Sequence, residues 1–335
     1  MTDVLRRWRF TDFGLRHLRA DQAEVPTPGP GQILVRVEAA SLNYRDLMLA
    51  NNAYGMTPAL PFVPASDLAG TVLAVGEGVT RWRGGERVIS TFVAGWIDGR
   101  APEEAFALGG PGPGALASHV LLDAQWVAAA PETLDAAQAS TLPCAALTAW
   151  FALVEEGALR AGQTVLIHGT GGVALFGVQF ARLHGAQAIV VSGSADKRER
   201  ALAIGASHVL AREADWPSEV RRLCGGRGAD QILETVGGPN LGRSLTALAR
   251  HGRLSVIGVL EGGEIGGASA FDLIRNRASI QGINVGHRRA MEDMVRAIDL
   301  NALKPVIAAE YGFDDVPQAF AHLERGAFGK VVVRL

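Results

Sequence analysis

Cysteine is nearly missing from this chain: Cys144 and Cys224 are the only two among 335 residues. Two thiols cannot build a disulfide framework, nor a structural zinc site that takes four thiolates. A reducing cytoplasm is the expected setting. An excess of one charge is missing too, since 32 Lys and Arg stand against 34 Asp and Glu. That balance removes the electrostatic case for nucleic acid or an anionic membrane as a partner. No apolar run approaches the roughly 20 residues of a membrane span. Residues 1–7 lack the apolar core of a secretory signal. Internal repeats and low-complexity tracts are absent. What remains is a chain long enough for two domains, each with its own core.

The most informative stretch runs from Thr164 to Arg198. Thr164-Val165-Leu166-Ile167-His168 is a short β-branched run suited to a buried parallel strand. Gly169-Thr170-Gly171-Gly172-Val173-Ala174 follows, then Leu175, Val178, Phe180, Ala181 and Leu183 at helical spacing. Ala188-Ile189-Val190-Val191 supplies the next strand. Strand, glycine turn, helix and strand in this order form the context that makes a glycine pattern a dinucleotide fingerprint. Gly169 permits the tight turn, Gly171 lets the backbone approach a pyrophosphate, and Ala174 keeps helix and strand close. The free N–H groups at the helix start favour phosphate.

Before this stretch, up to about residue 125, the pattern is short strands between glycine and proline turns, which predicts a partly closed β-barrel. Gly95 to Gly114 reads as a long surface loop. Helical composition begins near Ala136. After the fingerprint, strands and helices alternate through Ser279–Val285 and complete a six-stranded doubly wound parallel sheet. Arg289–Leu300 reads as an amphipathic helix, and strands return from Val306 to the end.

Several stretches together carry a resemblance over nearly the whole chain. They are Ser41-Leu42-Asn43-Tyr44-Arg45-Asp46, Pro64-Ala65-Ser66-Asp67-Leu68-Ala69-Gly70, Gly85-Glu86-Arg87-Val88, Leu142 to Trp150, the glycine turn, and Phe328-Gly329-Lys330-Val331. In order and spacing the sequence resembles the medium-chain dehydrogenase/reductase superfamily, within the alcohol dehydrogenase superfamily, and its zinc-independent, quinone-oxidoreductase-like branch. The resemblance implies an α/β fold with a Rossmann domain (residues 128–285) inserted in a GroES-like catalytic domain (1–127 and 286–335), and a substrate cleft at their junction. Zinc-dependent relatives place a cysteine, a His-Glu pair and a second cysteine where this chain has Asn43, Ser66-Asp67 and Cys144. Catalytic zinc takes about three protein ligands of the Cys, His or carboxylate type, so no metal is expected.

The second strand of an NAD-preferring Rossmann domain ends in an acid that bonds the ribose hydroxyl. Here it ends Val191-Ser192-Gly193-Ser194, followed after Asp196 by Lys197 and Arg198. Hydroxyls and cations suit a 2′-phosphate, so NADP(H) is expected over NAD. Thr148 matches a family position beside the nicotinamide, and Gly237, Ile257 and Gly258 end strands at the ligand-binding edge. Asn43 and Tyr44 stand at the family's cleft position and are the catalytic candidates; Lys330 could reach the cleft, but a solvated edge-strand lysine is the simpler account. His119 and His287 are lesser cleft candidates. The chain then reads as a zinc-free reductase of small quinones, enones or carbonyl compounds. An alcohol dehydrogenase or aldehyde reductase and a non-enzymatic cofactor-binding scaffold are the alternatives. An unprotected edge strand at Ser279–Val285 suggests a homodimer with a continuous sheet.

Overall fold

The computed structural model describes residues 4–267 and 269–335, and their contacts divide the chain into two compact units, 1–147 with 286–335 and 148–285. The expected first boundary after residue 127 lies inside the first unit. The helical turns at Ala136–Ala139 and Leu142–Ala146 pack with its strands, and the chain changes unit only at Thr148.

In the first unit, β1 (Val4–Phe10) and β2 (Leu18–Glu24) form a hairpin of their own. The remaining strands here are β3 (Gln32–Leu42), β4 (Asp67–Val75), β5 (Arg87–Ser90), β6 (His119–Asp123) and β7 (Val127–Ala129). The second unit holds β8 (Thr164–His168), β9 (Gln187–Ser192), β10 (His208–Ala211), β11 (Ala229–Glu234), β12 (Leu248–Val256) and β13 (Ser279–Gly282). The chain then returns to the first unit for β14 (Ile307–Tyr311) and β15 (Lys330–Arg334). A helix, Val316–Glu324, interrupts the expected run of strands at the C-terminal end. It buries Val316, Ala319 and Phe320 against the same core as Phe10 and Val331.

Strand β3 organises the first unit. It pairs with β4 along most of its length, with β6 through Gln32–Arg36 and with β15 through Ala39–Leu42. Two register shifts between β3 and β4 let the sheet curl, as bulges do. Leu42 lies opposite Val331, and Ser41 lies opposite Asp67. That register carries three polar residues to one end of the sheet: Asn43 just past β3, Asp67 opening β4 and Lys330 opening β15.

The second unit is the expected doubly wound parallel sheet, in the order β10-β9-β8-β11-β12-β13. Every residue of β8 is buried, as a strand covered on both faces requires. The sheet reverses direction of winding between β8 and β11, so the turns after these two strands flank the topological switch point, where ligands bind. The Gly172–Leu183 helix crosses β8 and β11 at Gly177, where a Cβ would stand 2.6 Å from Leu233 Cδ1 and 3.3 Å from Ile167 Cδ1. Close packing therefore depends on Gly177 as well as on the expected Ala174. A mid-helix glycine, costly by about 1 kcal/mol against alanine, was its signal in the sequence.

Gly95–Gly114 is less of a surface loop than its composition suggests. Ala94 N–H donates to the Phe106 carbonyl and Leu108 N–H to that of Phe92, while Leu108 is buried. Only residues 97–104 form a continuously exposed tip. Among the described residues no helix is long and apolar enough to cross a membrane.

Candidate functional site

Two polar arrangements stand out, one in each unit. In the first, Asn43 precedes the Tyr44–Ala50 helix, with its backbone N–H donating to Asp46 Oδ2 at 2.8 Å. The Asn43 side chain meets the Lys330 ammonium through Oδ1 and Ser66 Oγ through Nδ2, the latter at 3.4 Å. The Ser66 hydroxyl donates to Asp67 Oδ1 at 2.6 Å, and Lys330 Nζ lies 3.4 Å from Asp67 Oδ2. Cys144 adds its backbone N–H to that oxygen at 3.2 Å. Asp67 is fully buried and Lys330 is 3% exposed. Lys330 is therefore not the solvated edge residue the sequence suggested. The β3–β15 register fixes its place beside Asn43, and a buried carboxylate gives it a reason to stay there.

Desolvation dominates the neighbouring titrations. Burial pushes Asp46 up to about 6, against the opposing pull of the Arg45 charge and the Asn43 N–H. Burial also raises the half-buried Cys144 thiol far above its usual range, and the Asp67 charge adds to this. Arg45 lies 3.8 Å from Asp46, donates to the Leu108 carbonyl and rests over the rings of Tyr54 and Phe92. Tyr44 is 51% exposed, so its ring is not packed away. Among the described residues no three His, Cys, Asp or Glu converge as a metal-binding group. His287 caps a helix, accepting from Ala290 N–H, and His119 is buried beside Ser118 Oγ.

The second arrangement is the glycine turn and its supports. Gly169 has φ +81°, which suits glycine, and nothing lies within 4 Å of where a Gly171 Cβ would stand. No side chain caps the helix that starts at Gly172. Its first internal bond runs from Leu175 N–H to the Gly171 carbonyl, so the N–H groups of Gly172, Val173 and Ala174 lie ahead of the intrahelical ladder. This open concavity fits a pyrophosphate. Thr170 and Thr148 are buried. Ser192 ends β9 and its carbonyl accepts from Arg198 Nη1 at 2.7 Å, while Ser194 Oγ caps the next helix at Lys197 N–H.

Sequence reasoning missed the buried residue that shapes the opposite rim. Glu234, at the end of β11, accepts from Val236 and Gly237 N–H through Oε1 and from Asn240 and Ser244 side chains through Oε2. Its backbone carbonyl takes the N–H groups of Ile257 and Gly258. One residue thus holds both loops in which the cofactor candidates Gly237, Ile257 and Gly258 lie. An acid directly after the buried Ile232-Leu233 pair at the end of β11 was the available signal.

Comparison with known proteins places these features. Residues 29–132 match the alcohol dehydrogenase GroES-like domain family, and residues 172–300 match the zinc-binding dehydrogenase family. A zinc-type alcohol dehydrogenase-like protein of Schizosaccharomyces pombe is 36% identical, over 96% of each chain. The chain belongs to the medium-chain dehydrogenase/reductase superfamily. Human quinone oxidoreductase is 31% identical over 99% of this chain and 98% of its own. A crystal structure from Sinorhizobium meliloti 1021, of a protein assigned as an alcohol dehydrogenase, superposes with a TM-score of 0.96 at 52% identity, with full coverage of both chains. This superfamily member is an NAD(P)-dependent oxidoreductase, and its glycine cradle fits the nicotinamide cofactor that such enzymes use.

Proposed function

We propose that the chain is a metal-independent, NADP(H)-dependent reductase of small quinones, enones or related carbonyl compounds, working in the cytoplasm. The observation that carries this reading is the buried Lys330–Asp67 pair. At the positions where zinc-dependent relatives hold ligands, this chain offers an amide, a hydroxyl, a carboxylate already facing an ammonium, and a thiol kept protonated by burial. Such a set does not suit a catalytic zinc.

Gly169, Gly171, Gly172 and Val173 would hold the pyrophosphate, with Thr148, Gly237, Ile257 and Gly258 around the rest of the dinucleotide. When bound, the nicotinamide supplies or accepts the hydride. Asn43 donates a hydrogen bond to the substrate oxygen, and the exposed Tyr44 hydroxyl stands as a further donor. Ser192, Ser194, Lys197 and Arg198 favour the 2′-phosphate. Glu213 favours the opposite preference, because its carboxylate would lie 3.3 Å from a Cβ at Gly193 and is an acid within reach of the end of β9. A second chemistry, alcohol or aldehyde turnover, is favoured by the assignment of the Sinorhizobium meliloti relative.

One assay separates these readings. NADPH and NADH oxidation is followed against a quinone, an enone and an aldehyde, each with and without chelator. Chelator-resistant turnover of the quinone or enone is expected, with NADPH preferred by about tenfold, the effect of one well-placed charge–phosphate contact. Turnover confined to the aldehyde, or abolished by chelator, overturns the reading.

A homodimer joined edge to edge at β13 belongs to the same proposal. The strand is shorter than expected, ending at Gly282, and Val285 is buried. The exposed apolar surface is supplied instead by Phe271 and Ile274 of the preceding helix, 71% and 75% exposed. Light scattering that returns a monomer at micromolar concentration would end this part of the reading.

A further inference from the structure

We infer that Lys330 is a positioning residue: its ammonium acts as a built-in cation that fixes the Asn43 amide as a hydrogen-bond donor to the substrate oxygen. The donor role rests on the reductase reading above; the fixed amide does not.

Four groups close a ring, and each settles the orientation of the next. A lysine ammonium has three donors and no acceptor, so the amide atom facing Lys330 must be Oδ1. The Asn43 amide nitrogen is thereby turned toward Ser66 Oγ. The Ser66 hydroxyl has one proton and spends it on Asp67 at 2.6 Å, which leaves its oxygen to accept from Asn43. Asp67 returns the circuit to Lys330 through its other oxygen. In the reverse orientation an N–H would face the ammonium, and two acceptors would meet at Ser66.

One amide proton remains unspent, because no acceptor among the described residues takes the second Nδ2–H. A positive charge behind Oδ1 polarises the amide and strengthens that donor. A donor locked in place before the reaction is what stabilises charge developing on a carbonyl oxygen. In zinc-dependent relatives the metal supplies that charge; here a side chain of the protein's last strand does so.

Two variants of the chain, compared with wild type, test this: Asn43→Asp and Lys330→Met/Asp67→Asn. Asn43→Asp keeps an acceptor for Lys330 and removes the donor. Its kcat should fall by about 10²–10³-fold, with KM for the carbonyl substrate and Kd for NADPH little changed. The charge-neutral double variant removes the cation without stranding the carboxylate, and should lose kcat by about tenfold to a hundredfold, as supporting contacts of a site do. Wild-type kcat in either variant overturns the inference. The Asn43 side-chain amide signals in ¹H–¹⁵N spectra, identified by their loss in Asn43→Asp, report on the fixed orientation without any substrate. They should shift in the double variant, and unmoved signals would overturn it. Signals that shift in the double variant while the wild-type protein reduces nothing would instead leave the fixed amide standing and refute the reductase reading.

Discussion

The two units each bury a carboxylate at the end of a strand, and they satisfy it in opposite ways. Asp67 faces a full positive charge, the Lys330 ammonium, with a hydroxyl and a backbone N–H in support. Glu234 faces neutral donors: two backbone N–H groups, an amide and a hydroxyl. The cation-capable neighbour of Glu234, His168, lies 3.6 Å away. Burial pushes its titration down despite the opposing pull of the Glu234 charge, with the Arg212 and Arg243 charges adding to the fall, which favours the neutral imidazole. A charge pair concentrates dependence on one partner. A set of neutral dipoles spreads it over several groups that can rotate. The first arrangement suits a site that must keep one polarity, and the second suits a scaffold that must hold two loops.

The sharpest way to break this contrast is Lys330→Met. Removing one member of a buried ion pair strands the other, which costs about 3–5 kcal/mol. Denaturant unfolding should show that loss, and Lys330→Met/Asp67→Asn should recover most of it. A single variant as stable as wild type would mean that Asp67 needs no cation.

Asp46 sharpens the same comparison, because it is a third buried carboxylate with neither solution complete. It accepts one backbone N–H through Oδ2, while Oδ1 has no hydrogen-bond partner and Arg45 stands 3.8 Å off. Its carboxyl is raised from 3.8 to about 6, so between these values the folded chain binds more protons than the unfolded one. Stability contributed by the protonated form is complete below pH about 4 and is lost as pH rises through 6. Asp46→Asn keeps an acceptor for the Asn43 N–H and carries no charge. Relative to wild type it should gain up to about 3 kcal/mol between pH 4 and 7. Parallel stability profiles for the two proteins across that range would show that Asp46 is not strained by burial.

Much of the second unit was legible because its signals are local. The glycine turn, the β-branched strands and the helix between them occupy consecutive residues, and the sheet order follows from the handedness of their connections. The first unit was legible only in outline. Lys330 lies 287 positions from Asn43, and only the pairing of β15 with β3 brings them together. The Phe328-Gly329-Lys330-Val331 stretch carries the family resemblance, but nothing in it says that the lysine is buried or which residues it meets. The boundary at Thr148 was missed for a related reason, since helical composition begins before the chain changes unit. Glu234 escaped notice because two of its partners are backbone N–H groups that sequence does not display, and the other two, Asn240 and Ser244, lie on the helix beyond the next turn.

The smallest effect is expected at Glu234→Gln, and that modest size is what would confirm the contrast. Glutamine keeps a carbonyl oxygen, enough to accept from Val236 and Gly237 N–H. Its new NH₂ group would face Ser244 Oγ and Asn240, both now donors to Oε2. Both can adjust. The Asn240 amide can turn over, and Ser244 can rotate its proton toward His168 Nε2, 2.9 Å away, if the imidazole carries its own proton on Nδ1. Each hydrogen bond then has a replacement, and the net cost should be about 1 kcal/mol. NADPH affinity should follow the same pattern, with little change, because the loops at Gly237 and Gly258 keep their anchors. A loss of about 3 kcal/mol or more in denaturant unfolding, comparable with Lys330→Met, would mean that the carboxylate charge is itself required. His168 would then have to be a cation, and the two units would have solved the same problem in the same way.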